Sequence, residues 1–380
     1  MREASAALTR LDNGWVQAKV PLPFSLKWVN AYLLPNGKRW TIIDPGLRSE
    51  ETEAFWTDTL RELGVDWPDI EAIVLTHYHP DHYGLAGWLQ ERTGAPVHMS
   101  EVSAAYARRL WGEDETFSEE LIEAFQSHGF PDELLGGMRD HLSGVKKQVL
   151  PHPAEIRLLP EPGEQRFEMA GLTWELIGGE GHAPGHRSFY QPESRILLCG
   201  DQVLPHITPN IGWLPGGDPD PLGSYLSSLK RMLACEAILA LPGHRDPFPD
   251  FRGRVEELIA HHDRRLKQIE KLLEEAGPMS GFELCDKLFG ARISGNPHNH
   301  RFAMSEAIAH AERLVFSGAV VRIEADGTET GMQMEMQTGT LAGSKKETQA
   351  IPPFSAILSP LAPPPSRMLT ERQLIRYRRA

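Results

Sequence analysis

The sequence predicts an α/β protein followed by a smaller, mostly helical part, on three observations. Short apolar runs recur through the first 250 residues, and each is followed at once by Asp, His or Gly. Runs that are apolar without alternation suit strands buried on both faces. Amphipathic segments separate these runs, and near residue 250 the runs give way to helices and one hairpin.

The bulk properties narrow the class. A chain of 380 residues is too long for one minimal core, so one large domain plus a smaller one is expected. No apolar run approaches the ~18 residues of a membrane-spanning helix, and the opening "MREASAALTRLDNG" has no apolar core of a secretory signal. Cys199, Cys235 and Cys285 are few and far apart, which reads as buried thiols in a reducing compartment, hence a cytoplasmic protein. A net charge of −13 disfavours a surface that tracks phosphates, so nucleic acid is not an expected partner.

The elements follow in order. "WTIIDPG" ends the run Trp40 to Ile43 at Asp44, and "AIVL", Ala72 to Leu75, leads into "THYHPDHYG". A run ending at Ile177 precedes "GGEGHAPGH", with His182 and His186. Ile196 to Cys199 precede Asp201, and Ile238 to Leu241 precede His244. Groups gathered beyond the carboxyl ends of strands are where layered α/β proteins build sites. "GLAGWLQERTG" spaces Leu85, Trp88 and Leu89 as a helix that stops at Gly94. Residues 101–148 read as a helical insert, with Leu121, Ile122 and Phe125 on one side and Leu134, Leu135, Met138, Leu142 and Val145 continuing. The insert either packs on the body or covers the site.

From residue 251 a long amphipathic helix is followed by a short one, "GFELCDKLF", a loop "GARISGNPHNH" and a third helix, "AMSEAIAHAERLVFSG". An Asp326-Gly327 turn between two alternating runs predicts a hairpin. Helices followed by a hairpin suggest a small winged-helix-like domain over 251–338. Residues 339–380 are Pro-rich and then basic, and predict a tail without a fixed fold, at most one loose helical turn in "RQLIRYRRA". Cutting the chain after about residue 340 is therefore expected to leave it nearly as stable.

"THYHPDHYG" carries the strongest chemical signal. His77, His79, Asp81 and His82 each offer a lone pair to a cation, and their spacing fits a loop curled around a point, not one face of a helix. His77 and His79 can face one ion, and Asp81 and His82 a second ion or the water of the first. Two ions about 3.5–4 Å apart, bridged by shared ligands, need some seven ligands, and the strand ends supply His77, His79, Asp81, His82, His182, Asp201 and His244. Asp201 is the isolated carboxylate and the natural bridge.

"THYHPDH", "GHAPGH", "CGD" and "PGH", in that order, resemble the metallo-β-lactamase fold superfamily in its glyoxalase-II-like branch, over about residues 15–250. The resemblance implies a four-layer αββα sandwich over residues 1–250, with the insert at 101–148. It implies that His77, His79 and His182 hold a first ion, that Asp81, His82 and His244 hold a second, and that Asp201 bridges them. Asp44 would orient a ligand histidine, and His186 would be structural or support a ligand. His206 and Asn210 follow Asp201 on a loop expected to line the substrate pocket. Zinc is the expected metal, with iron or manganese also suited to such ligands.

The expected activity is that of a dinuclear metal hydrolase. Two ions lower the pKa of a shared water from 15.7 to about 7, and the bridging hydroxide attacks an ester or thioester of a small acyl substrate. Asp81 and Asp201 are the carboxylates placed to take part. The alternatives are a lactonase and a single-stranded RNA endonuclease of the same fold. The second domain is expected to serve as a lid or in dimerisation, so a homodimer stays open.

Overall fold

A computed structural model describes residues 7–112, 116–163, 166–290, 293, 296–331 and 374–380. Seven strands form the first sheet in chain order: β1 (Leu8–Arg10), β2 (Val16–Pro21), β3 (Trp28–Asn36), β4 (Arg39–Ile43), β5 (Ile70–Val74), β6 (Val97–Met99) and β7 (Ile156–Leu158). β1 to β4 pair antiparallel and β4 to β7 parallel. The switch falls where helical crossovers replace short turns, since parallel neighbours need a long connection. The second sheet contains β8 (Phe167–Met169), β9 (Leu172–Gly179), β10 (His186–Gln191), β11 (Ile196–Gly200) and β12 (Leu239–Pro242) in the order β12-β11-β10-β9-β8.

The sheets stack face to face. Tyr32, Leu34, Ile43 and Val74 of the first share a buried cluster with Trp174, Leu176, Phe189, Leu198 and Leu241 of the second. The outer face of the first sheet is covered by α1 (Glu50–Leu63), α2 (Pro80–Tyr83) and α3 (Ala86–Thr93), with Ile42, Ile73 and Val97 against Trp56, Leu60 and Leu89. Ser49 and Thr52 form a capping box at the start of α1, and Gly64 ends it in the left-handed conformation. The insert is helical as expected: α4 (Glu101–Trp111), α5 (Thr116–Ser127) and α6 (Leu135–Lys147). The outer face of the second sheet meets α7 (Pro221–Met232) and the first half of α8 (Phe251–Ala276), with Leu197 and Cys199 against Tyr225, Leu229, Val255 and Leu258. The four layers αββα are complete, and both strand sets end at one rim.

The second domain adds β13 (Met279–Ser280), α9 (Gly281–Phe289), α10 (Pro297–Phe316), β14 (Val320–Ile323), β15 (Glu329–Thr330) and β16 (Arg376–Arg379). α8 belongs to both domains: Ile269 and Leu273 of its second half join Leu284, Leu314, Val320 and Tyr377 in the second core. β14 and β15 pair across the Asp326-Gly327 turn. α10 begins earlier than its sequence suggests. The Asn296 side chain accepts from the Asn299 N–H and Pro297 opens the helix, so His298 and His300 are helical, not in a loop.

The expected tail needs correction at its end. Arg376–Arg379 is a strand, β16, held between β13 and β14, and not a helical turn. Tyr377 is fully buried there and donates to Glu312 Oε1 at 2.7 Å. The strand's partners lie far away in sequence, so no local pattern announces the pairing. The rest of that tail and the end of the expected hairpin, residues 332–373, lie outside the described residues.

Candidate metal centre

The seven residues converge where the two sheets' strand ends meet. His77 and His79 follow β5, Asp81 and His82 lie in α2, His182 lies between β9 and β10, Asp201 follows β11, and His244 follows β12. Three overlapping groups have ligand atoms within 4.8 Å of one another: His77, His79 and His182; His77, His82 and Asp201; and Asp81, His82 and His244. Asp201 lies between the outer two. Its Oδ1 is 3.4 Å from His82 Nε2, and its Oδ2 is 3.3 Å from His244 Nε2 and 3.7 Å from His182 Nε2.

Hydrogen bonds decide which nitrogen faces the centre. His82 Nδ1 donates to Asp44 Oδ2 at 2.9 Å, His182 Nδ1 to the Asn210 carbonyl at 2.8 Å, and His244 Nδ1 to the Trp28 carbonyl at 3.0 Å. Thr76 Oγ1 donates to Asp44 Oδ2 at 2.7 Å, so its lone pair receives His77 Nδ1–H at 2.9 Å. Each bond fixes the tautomer and leaves the Nε2 lone pair free. The Nε2 atoms of His77, His82, His182 and His244 and the Oδ1 of Asp201 are buried with no hydrogen-bond partner among the described residues. Buried polar atoms are rarely left so. Five of them gathered in one centre fit divalent cations.

The electrostatics agree. Burial, followed by the fields of the neighbouring imidazoles, pushes His77 far below its usual range and keeps it neutral. Burial also opposes charge on His82 and His244, but Asp201 leads the carboxylates that outweigh it, raising His82 well up and His244 to about 10. The negative field that would hold a proton on these rings equally holds a metal in its place. Backbone also makes room. A Cβ on Gly243 would overlap Asp201 Oδ1 and stand 2.6 Å from His82 Cε1, so only glycine lets β12 end this close to the centre.

The weaker candidates divide. Asp44 is buried and bonds both His82 and Thr76. His186 is fully buried beside His77, ring centroids 5.2 Å apart, with neither nitrogen bonded. Asn210 lines the space beside the centre, its carbonyl on His182 and its Nδ2 on Glu306 Oε2 at 2.9 Å. His206 does not line that space. A left-handed φ of 65° turns it outward, and it is exposed in a separate depression with Arg254 and His261. Cys199 is a buried thiol bonded to the Val203 carbonyl, its pKa raised by burial.

Two cavities adjoin the centre. The outer one, about 220 Å³, reaches His79, Asp81, His182, Asp201 and His244. The inner one, about 50 Å³, runs from His79 and His182 under the insert, past Tyr78, Tyr106, Trp111 and Phe117. So the insert covers the site. Sequence reasoning missed the residues shared from the second domain: Arg301 and Phe302 of α10 line both cavities, and His298 lines the outer one. The Pro297 start of α10 is the one local signal that could have placed them on a helix.

The sequence profile of the metallo-beta-lactamase superfamily matches residues 29–244, and that of the metallo-beta-lactamase-like C-terminal domain matches residues 266–330. A metallo-beta-lactamase family protein from Thermus thermophilus superimposes with a TM-score of 0.72 at 36% identity, over 81% of this chain and 95% of that one. "Probable metallo-hydrolase YqjP" of Bacillus subtilis is 27% identical over 80% of this chain and 93% of its own length. "Atrochrysone carboxyl ACP thioesterase dmxR1" of a Cryptosporiopsis species is 25% identical over 67% of this chain and 61% of its own. With the fold, the ligand cluster and the matched profiles in agreement, the chain belongs to the metallo-beta-lactamase superfamily, with that family's C-terminal domain attached.

Proposed function

We propose that the protein is a dinuclear metal-dependent hydrolase that cleaves an ester or thioester of a small acyl substrate. The observation that carries this reading is the pair of ligand triads on either side of Asp201, with their free Nε2 atoms turned inward. His77, His79 and His182 would hold one ion and Asp81, His82 and His244 the other, with Asp201 shared. Divalent ions held there bring the pKa of a water near 7 and polarise a carbonyl. Asp81 orients the nucleophile: its carboxylate faces the outer cavity, 3.1 Å from His244 Nε2, stays ionised beside His82 and His244, and can accept a hydrogen bond from an attacking water. A thiolate leaves with little protonation, which suits an outer cavity whose carboxylates, Asp81 and Asp201, both belong to the ligand set. The thioesterase name of one relative supports a thioester, and the apolar cavity walls support an acyl group.

The test is elemental analysis of protein purified without chelator, followed by a panel of thioesters, lactones and single-stranded RNA. About two ions per chain and turnover of thioesters or esters are expected, with zinc the metal found. A single ion that no added metal can double would remove the dinuclear reading. Metal-dependent RNA cleavage lost in His79→Ala, with inert thioesters and lactones, would replace it with a nuclease.

A further inference from the structure

Arg301 differs from two other half-buried arginines nearby. Arg265 and Arg313 are paired, with Glu306 at 3.0 Å and Asp220 at 2.8 Å. Arg301 has no hydrogen-bond or ion-pair partner among the described residues. Its guanidinium carbon lies 4.4 Å from the centroid of the Phe302 ring. It is partly buried and lines both cavities beside His79 and His182.

Two further donors flank it. His298 stacks on Phe24 at 4.6 Å, and His141 of α6 meets His298 edge-on at 5.1 Å. His298 Nδ1 and His141 Nε2 are buried with no hydrogen-bond partner among the described residues, and both residues line the outer cavity. Burial, with the Arg301 charge next, lowers His298 to about 4 and His141 to about 3. Both are therefore neutral donors beside one fixed positive charge. Asp81 is a carboxylate in the field of that charge, and it faces His244 at 3.1 Å. A guanidinium left unpaired in an apolar wall is unfavourable unless an anion arrives with the ligand.

We propose that Arg301, flanked by His298 and His141, receives a carboxylate carried on the acyl half of the substrate, so that the preferred substrate is the ester or thioester of an acid bearing a second carboxylate. The inference rests on the hydrolase reading for its reaction, but not for its binding site. Position selects the acyl half. Arg301 shares its wall with His79, Asp81 and His182, so the group it holds lies a few bonds from the scissile carbonyl. A phosphate at the far end of a pantetheine-type leaving group lies many bonds away. A planar fork of N–H donors matches a carboxylate in two-point contact, and Phe24, Leu47, Val145 and Phe302 enclose the hydrocarbon part.

The test compares the N-acetylcysteamine thioesters of 3-carboxyphenylacetic and 3-methylphenylacetic acids, alike in shape and different in charge. The metal-loaded enzyme is expected to favour the carboxylate by about 10–100-fold in kcat/KM, the range of a charge-assisted hydrogen bond. Arg301→Met is expected to bring that ratio near one, and Arg301→Lys to keep part of it, which preserves the comparison if the Met variant folds poorly. Calorimetric titration with the two free acids is expected to show the same preference at equilibrium and its loss in the variants. Equal turnover of both thioesters by the unaltered enzyme would overturn the proposal and leave the hydrolase reading standing. Equal loss on both in Arg301→Met would also overturn it, assigning the guanidinium to the reacting carbonyl. If neither thioester is cleaved, the hydrolase reading suffers and the titration alone decides whether the carboxylate receptor exists.

Discussion

Asp44 accepts three hydrogen bonds on two oxygens: from Thr76 N–H, from Thr76 Oγ1–H and from His82 Nδ1–H. It does so at a left-handed φ of 51°, a conformation Asp and Asn tolerate better than other side chains. Asp44→Asn therefore keeps the backbone and removes one function, because an amide N–H cannot accept from His82 or Thr76. His82 then loses the bond that fixes its tautomer, and Thr76 the acceptor that orients it towards His77. Metal affinity is expected to fall about 10–100-fold, the usual cost of losing such a partner, with the fold intact. Competition against a chromogenic chelator measures it, and an unchanged dissociation constant would show that Asp44 only shapes the turn. At this scale the sequence was readable where chemistry was dense. Four metal-ligating side chains in six positions have no ordinary structural use, so His77 to His82 announced themselves. Arg301, His298 and His141 did not, because single basic residues on amphipathic helices look like solvated ones. What sets them apart is that the Arg301 guanidinium, His298 Nδ1 and His141 Nε2 have no hydrogen-bond partner among the described residues, which only the packed structure reveals.

β16 shows how an element escapes sequence reading. In "RYRR" one buried tyrosine alternates with arginines that reach carboxylates on other elements: Arg378 pairs Glu329 at 2.7 Å, and Arg379 pairs Glu270 at 3.3 Å. Read locally, the basic run looks solvated. Read in place, it fills the gap between β13 and β14, more than fifty residues after its partner. The consequence is testable. Tyr377→Phe leaves the buried Glu312 without one donor, although Arg322 remains at 3.2 Å, so a loss of about 1–3 kcal/mol is expected in denaturant unfolding. Ending the chain at residue 373 removes the strand, bares two sheet edges and is expected to lower Tm by several degrees. An unchanged Tm would mean that the second core closes without its last strand. The β-runs of the first domain were easier to read, because continuous burial writes itself as continuous hydrophobicity, as in Ile196 to Cys199.

On the scale of the whole molecule, α8 decides how the domains behave together. The expected boundary at residue 250 sits at its first turn, but the helix continues for 26 residues, with Val255 and Leu258 in one core and Ile269 and Leu273 in the other. Melting either core exposes half of the same helix. The second link is polar: Arg265 of α8 pairs Glu306, Glu306 accepts from Asn210, and the Asn210 carbonyl holds His182. A single calorimetric transition is expected, with metal raising its temperature by mass action. Two resolved transitions would show that the domains unfold independently.

A helix shared in this way also bears on how new specificities could arise. A continuous rod of about 39 Å fixes the distance between the chemistry on the first domain and Arg301 and His298 on the second. Replacing residues 277–331 with the matching stretch of a relative would keep that spacing and exchange one wall of the cavity. Chimaeras joined at the end of the rod would then trade selectivity while leaving the metal centre in place, and the second domain would act as an interchangeable cassette.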